Sequence, residues 1–163
     1  MTLHYICSQT DLRQIIINFM LDIHVLRLGF KDQDFSIIEN IRKKVFLNEM
    51  NIPESELFDE NDETCEHYIL FDGKEVIGSV RFLKIKNEIK LERMAILSEF
   101  RGKNYGKSAI LQLAEYYRMT GYSKMILDSI LSVKDFYKKC GFIEEGEIFK
   151  RVGIDHIRMS LKF

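Results

Sequence analysis

An excess of charge of either sign is the first thing this 163-residue chain lacks: 24 lysines and arginines stand against 25 aspartates and glutamates, a formal net charge of −1. Without a basic surplus there is no electrostatic case for nucleic acid as the main partner. Cysteine is scarce as well. Cys7, Cys65 and Cys140 show no metal-ligand spacing and, being three, cannot all pair, so a reducing, cytoplasmic setting without a metal is expected. Long apolar runs are missing too. Asp22, His24 and Arg27 interrupt residues 15–28 well short of a membrane-spanning length, and the first ten residues have neither the basic head nor the apolar core of a secretory leader. What remains is 46% apolar residue content without linkers, repeats or low-complexity tracts, enough to fill the core of one domain.

The pattern along the chain is α/β. Residues 1–20 read as an extension, with a short strand at 3–6 and a helix from Asp11, ahead of a domain at 21–163. Leu21, Ile23 and Val25 alternate with Asp22 and His24, the period of a strand, and Ile37, Ile38, Ile41 and Val45 then predict an amphipathic helix over 34–50. Pro53 and the acidic stretch to Glu63 read as a loop. Strands are expected at 67–71, 75–84 and 89–97, turned at Asp72-Gly73 and Lys86-Asn87, since Asp-Gly between β-rich segments is a strong hairpin signal. A helix follows with Ile110, Leu113, Ala114 and Tyr117 on one face and Gly121 at its end, then a strand at 124–130, a short helix at 133–140, and strands at 142–149 and 155–162.

Between the apolar run 94–97 and that long helix lies Arg101-Gly102-Lys103-Asn104-Tyr105-Gly106-Lys107-Ser108. Two glycines allow close backbone approach, three cations add positive charge, and the helix that follows aims its N-terminal N–H groups at the same point, so the segment reads as a phosphate cradle. Two classes of cradle compete. A P-loop places Gly106-Lys107-Ser108 in register but needs glycine where Arg101 stands, and only 55 residues follow Ser108, too few for the remaining βα units of such a fold. The other class is the acetyl-CoA loop [QR]-x-x-G-x-[GA] of the GNAT N-acetyltransferases, which Arg101, Gly102, Lys103, Tyr105 and Gly106 resemble, with Asn104 in place of a middle glycine. Asparagine tolerates the left-handed backbone that such a turn needs. Downstream, the run from Asp135 through Phe136-Tyr137-Lys138-Lys139-Cys140 to Gly141-Phe142 resembles the same family's FYxKxGF segment, and from Leu21 onward the order of elements is the family's.

The resemblance implies an α/β (α+β) acyl-CoA N-acyltransferase fold, with a mixed central sheet, antiparallel N-terminal strands and flanking helices. Acetyl-CoA would be the cosubstrate, bound by the main chain of Met94, Ala95 and Ile96 and by the cradle from Arg101 to Ser108. Tyr137 stands where the family's general acid protonates the departing thiolate, while Cys140 is expected to be structural. Asp128, nine residues before Tyr137, gives this region a further resemblance to the glucosamine-6-phosphate N-acetyltransferases of amino-sugar synthesis. There the aspartate contacts the sugar and a glutamate at the position of Glu92 lies beside the amine, so these paired acids would hold an ammonium and accept its proton. Arg93 and Val133 depart from that subfamily's pattern.

His156, in Gly153-Ile154-Asp155-His156, and the stretch from Ile41 to Phe46 look instead like bacterial relatives of unassigned substrate. His156 and Arg158 would face the acceptor, and Arg42, Lys43, Lys44 and Arg151 are further anchors for a phosphate. Three functions stay open: direct acetyl transfer to glucosamine 6-phosphate by a homodimer; transfer to another amine, which the acidic 54–63 loop would suit if cationic; and a CoA-binding module without catalysis.

Overall fold

The computed structural model describes residues 23–163; the strand and helix expected within 1–20 lie outside the described residues. Seven strands form one sheet: β1 (Ile23–Leu28), β2 (Glu66–Asp72), β3 (Glu75–Ile85), β4 (Glu88–Ile96), β5 (Lys124–Ile130), β6 (Ile143–Arg151) and β7 (Ile154–Lys162), in the order β1-β2-β3-β4-β5-β7-β6. All neighbours are antiparallel except β4 and β5. Helices α1 (Phe35–Arg42), α2 (Tyr105–Met119) and α3 (Lys134–Lys139) flank this mixed sheet, the acyl-CoA N-acyltransferase arrangement that the sequence implies.

Periodicity decides which residues go inside. Ile110, Leu113, Ala114 and Tyr117 of α2 are buried with Phe82, Met125, Leu127 and Met159 of the strands in the main core. On the opposite face α1 buries Phe35 and Ile38 with Leu28 and Ile69, and Ile41 with Ala95 and Leu97. Each such aliphatic side chain contributes about 1.5–3 kcal/mol by leaving water. The helix predicted over 34–50 is found, but after Arg42 it widens into a π-helix, Lys43–Glu49, where the Met50 N–H donates five residues back to the Val45 carbonyl at 3.2 Å. Such wide turns are rare and concentrate at functional sites.

Gly78 permits a close approach between β3 and β4. A Cβ there would lie 2.3 Å from the Ala95 carbonyl oxygen and 3.2 Å from Ile96 Cα, both backbone atoms that cannot swing aside. Gly78→Ala is therefore expected to push β4 away from β3, lowering stability by about 1–3 kcal/mol and weakening cosubstrate binding along β4. An unchanged melting temperature would remove this contact from the account.

One feature of the sheet creates the site. The β4–β5 ladder holds only three pairs, ending at Lys90 opposite Ile126, although β4 continues to Ile96 and β5 to Ile130. Two irregularities bend β4 beyond that point: its register against β3 shifts between Ser79 and Arg81, and Arg93 takes a left-handed φ of 49°. The parallel strands splay, and a cleft opens between them.

Candidate active site

The cleft has a volume of about 710 Å³, with Glu92–Ile96 along one wall, Asp128–Ile130 along the other, and Tyr137 and His156 beside them. Val45 and Phe46 of the π-helix also line it, Val45 being a position that sequence periodicity marks only as core.

At one end lies the cradle. Gly102 and Asn104 both take positive φ, 76° and 65°, so the asparagine supplies the left-handed turn in place of the family's glycine. The first α-helical bond of α2 runs from the Ser108 N–H to the Asn104 carbonyl at 3.0 Å, and the turn before it presents the positive end of the helix to the cleft. Nothing occupies the space where a Gly102 Cβ would sit, whereas a Cβ on Gly106 would press within 3.1 Å of Phe136 Cζ. One glycine admits a ligand; the other lets α2 pack on α3. Arg101, Gly102, Asn104, Tyr105 and Gly106 line the cleft; Lys103 and Lys107 stand outside its wall, and Ser108 is buried in the helix. Arg101 is held by two bonds, its Nε donating to the Ile96 carbonyl at 2.8 Å and its guanidinium meeting Glu49 at 2.6 Å. A helix N-terminus, an open glycine and flanking cations suit the pyrophosphate of acetyl-CoA, and the main chain of Met94, Ala95 and Ile96 lies along the cleft toward Tyr137.

Tyr137 packs its ring against Phe136 and Phe142, at centroid distances of 5.0 and 5.9 Å, and its hydroxyl makes no hydrogen bond among the described residues. Burial pushes the phenol above its ordinary value and the nearby Cys140 adds to the effect, so the proton stays in place at neutral pH. Cys140 itself is buried, with its thiol pushed up to about 11, which leaves no thiolate to act as a nucleophile.

Glu92 and Asp128 do converge, but around a cation that sequence reading overlooks. Lys90 Nζ lies 2.9 Å from a carboxylate oxygen of each. Glu92 also meets Arg81 at 2.6 Å, while Asp128 accepts a hydrogen bond from Arg158 and has Arg151 at 3.5 Å. Burial would raise both acids; the bond from Lys90 and the charge of Arg81 outweigh it at Glu92, Arg158 and Lys90 outweigh it at Asp128, and both end below the usual carboxylate range. The seat expected for a substrate ammonium thus holds the molecule's own lysine. Lys90 was legible in principle, since it shares one face of β4 with Glu92 two residues on.

Behind Glu92 the ion pairs continue inward. Arg81 bonds Asp59 at 2.7 Å and Asp62 at 2.9 Å, Asp62 bonds Arg42 at 2.9 Å, and Arg93 meets Asp59 at 3.1 Å. Two sequence expectations are corrected here. Arg42, 1% exposed and committed to Asp62, is no anchor for a phosphate, and the acidic loop spends Asp59 and Asp62 on internal arginines rather than on a cationic substrate. The hydrogen bond from Arg81 is the main reason that the Asp59 carboxyl is held down at about 2. His156 is buried in the sheet with its ring stacked on Phe149. Among the described residues no group of three His, Cys, Asp or Glu side chains could hold a metal, and no helix is long and apolar enough to cross a membrane.

Comparison with known proteins gives this arrangement a context. An acetyltransferase (GNAT) domain family model matches residues 30–163. The uncharacterized N-acetyltransferase YjcF of Bacillus subtilis is 32% identical over 121 residues, covering 73% of this chain and 86% of its own. In fold, Escherichia coli ElaA superposes with a TM-score of 0.73 at 22% identity, over 85% of this chain and 98% of its own. Spermidine N-acetyltransferase from Vibrio cholerae, crystallised with CoA and spermine, gives 0.63 at 20% identity, over 85% of this chain and 95% of its own.

Proposed function

This chain belongs to the GNAT acetyltransferase family and is an acetyl-CoA-dependent N-acetyltransferase; from that premise we propose that its acceptor is a small primary amine that also carries an anionic group, with glucosamine 6-phosphate the first compound to try. The observation that carries the proposal is the imbalance of charge around Asp128, where Arg151 lines the cleft and Arg158, outside its wall, bonds the same carboxylate. Asp128, its side chain 2% exposed, faces three cations, Lys90, Arg151 and Arg158. Lys90 is balanced by Glu92, but Arg151 and Arg158 share one carboxylate and are each roughly half exposed. Glu145, opposite Arg158 on β6, turns to the Ser160 hydroxyl instead. One guanidinium charge is left over, and a planar fork beside a cleft suits a phosphate or carboxylate.

Bound acetyl-CoA supplies an activated acetyl thioester. The chain's part is to align the cosubstrate along β4, seat the acceptor beside Arg151 and Arg158, and deliver the Tyr137 proton. The Glu92–Lys90–Asp128 cluster then acts by fixing the acceptor wall, as an ion-paired brace between the splayed strands.

Release of CoA thiol with glucosamine 6-phosphate, glucosamine, spermidine and a lysine peptide tests the reading. The sugar phosphate is expected to exceed glucosamine at least tenfold in kcat/KM, and Arg151→Ala with Arg158→Ala to erase that advantage through KM without changing acetyl-CoA affinity. Preference for spermidine would replace it with a second reading, a cationic acceptor, which Glu56 on the cleft wall supports. The homodimer that the resemblance to the amino-sugar enzymes implies belongs to the same proposal. Exposed Ile143 and Ile148 on edge strand β6, with Val152 in the turn after it, support it, and sedimentation equilibrium showing only a 19.3 kDa species would end it.

A further inference from the structure

Acetyl transfer needs a neutral amine, yet an amine arrives as an ammonium, and the carboxylates expected to take its proton are engaged. Glu92 and Asp128 each hold two or more cations, and those cations keep both acids ionised as weak proton acceptors.

We infer that His156 is the general base of the reaction, taking the acceptor's proton on Nε2. Three observations carry this. His156 lines the same cleft as Tyr137 and Asp128, on the strand that pairs with β5, where it lies opposite Ile130. Its Nδ1 is 2.8 Å from the Ile154 carbonyl oxygen, which can only accept, so Nδ1 carries the hydrogen and the lone pair of the neutral ring sits on Nε2. The ring is held by stacking on Phe149, with centroids 5.8 Å apart and planes 24° from parallel, and by 9% residual exposure. The residue is thus fixed in tautomer and orientation, and its second nitrogen is bonded to nothing else among the described residues.

The charged and titratable groups around it are Asp128 on β5, Arg151 on β6, Arg158 on β7 and Tyr137 on α3; the adjacent Asp155 is taken by Lys150 at 2.7 Å. The proton balance closes. One proton moves from the ammonium to His156 Nε2, the freed lone pair forms the N–C bond to the acetyl carbon, and the C–S bond breaks. Sulfur takes the Tyr137 proton, the second amine proton restores the phenol, and the imidazolium releases its proton to solvent. This inference rests on acetyl transfer itself and not on the acceptor's anion.

The test is the pH dependence of kcat/KM for wild type and His156→Gln with whichever amine of the panel turns over. Losing the base is expected to cost in proportion to the protonated fraction of the amine: about tenfold at pH 7 and almost nothing at pH 9 for an amine with a pKa near 8, with the recovery moved above about pH 10 for a lysine or polyamine amine. Added imidazole should restore part of the loss, and the acetyl-CoA Kd, measured by calorimetry, should match wild type. A variant whose profile parallels wild type at every pH, or is depressed equally throughout, overturns the assignment. A failure of the anionic-acceptor reading shows separately, as turnover with another amine. If no amine reacts, long-range ¹H–¹⁵N spectra of the acetyl-CoA-bound protein still decide: Nε2 without hydrogen at neutral pH upholds the base, and the Nε2–H tautomer overturns it.

Discussion

Replacing Tyr137 with phenylalanine should lower kcat by about 10²- to 10³-fold while the acetyl-CoA Kd stays within about twofold of wild type. The two halves of that expectation come from different parts of the residue. The ring is packed between Phe136 and Phe142, a role phenylalanine fills without change in volume. The hydroxyl makes no hydrogen bond among the described residues, so its removal leaves no partner stranded there and costs the fold little. What disappears is a proton that burial keeps bound at neutral pH on the cleft wall, where the proposed reaction would deliver it to the leaving sulfur. Stopped-time thiol release together with calorimetry separates the two halves. Full turnover in Tyr137→Phe would take the phenol out of the reaction; lost cosubstrate binding would mean that the hydroxyl serves as a ligand instead.

Asp62→Ala is expected to cost about 3–5 kcal/mol of stability, read as a fall in melting temperature of roughly 10 °C. Asp62 is fully buried, accepts from Arg42 and from the Asp59 N–H, lies 2.9 Å from Arg81, and stands beneath buried His67. Removing it strands the guanidinium of Arg42, which has no other acid partner among the described residues. The sign with pH follows from the direction of its shift. Burial raises the Asp62 carboxyl, the charge of Arg42 and the surrounding hydrogen bonds more than compensate, and the folded value lies below the unfolded one. Its stabilisation is therefore complete above about pH 4 and vanishes as pH falls through the folded value. Wild type and Asp62→Ala should differ most at neutral pH and converge in acid; a constant gap would mean that the loss is one of packing rather than charge. Activity should fall too, since Arg81 transmits the strain to Glu92 and the cleft wall.

Much of this molecule could be read before it was seen. The alternation of Ile23 and Val25, the helical spacing of Ile110, Leu113, Ala114 and Tyr117, and Asp72-Gly73 at the hairpin fix local structure because they are local: a period of two or 3.6 buries one face whatever lies opposite. The cradle is legible for the same reason, since Gly102 and Asn104 carry their left-handed backbone in their own side chains, or lack of one. Charge resisted reading. Glu92, Asp128, Asp59 and Arg42 look alike as solvated or substrate-facing groups until the sheet places them. Whether a carboxylate serves a ligand or a neighbour depends on which cation the fold sets within 3 Å of it.

By itself, then, the sequence determined the order of elements and the left-handed turn of the loop at 101–108, both set by contacts within a few residues. Only the tertiary structure decided where the sheet opens, that Lys90 sits between the two acids, that Arg42 is structural, and that His156 lines the cleft with Nδ1 held by the Ile154 carbonyl. Those outcomes depend on pairing across strands and on distances of an ångström between residues far apart in the chain. Coulomb and hydrogen-bond energies fall off steeply over such distances, and the side-chain pattern of a single strand carries no record of them.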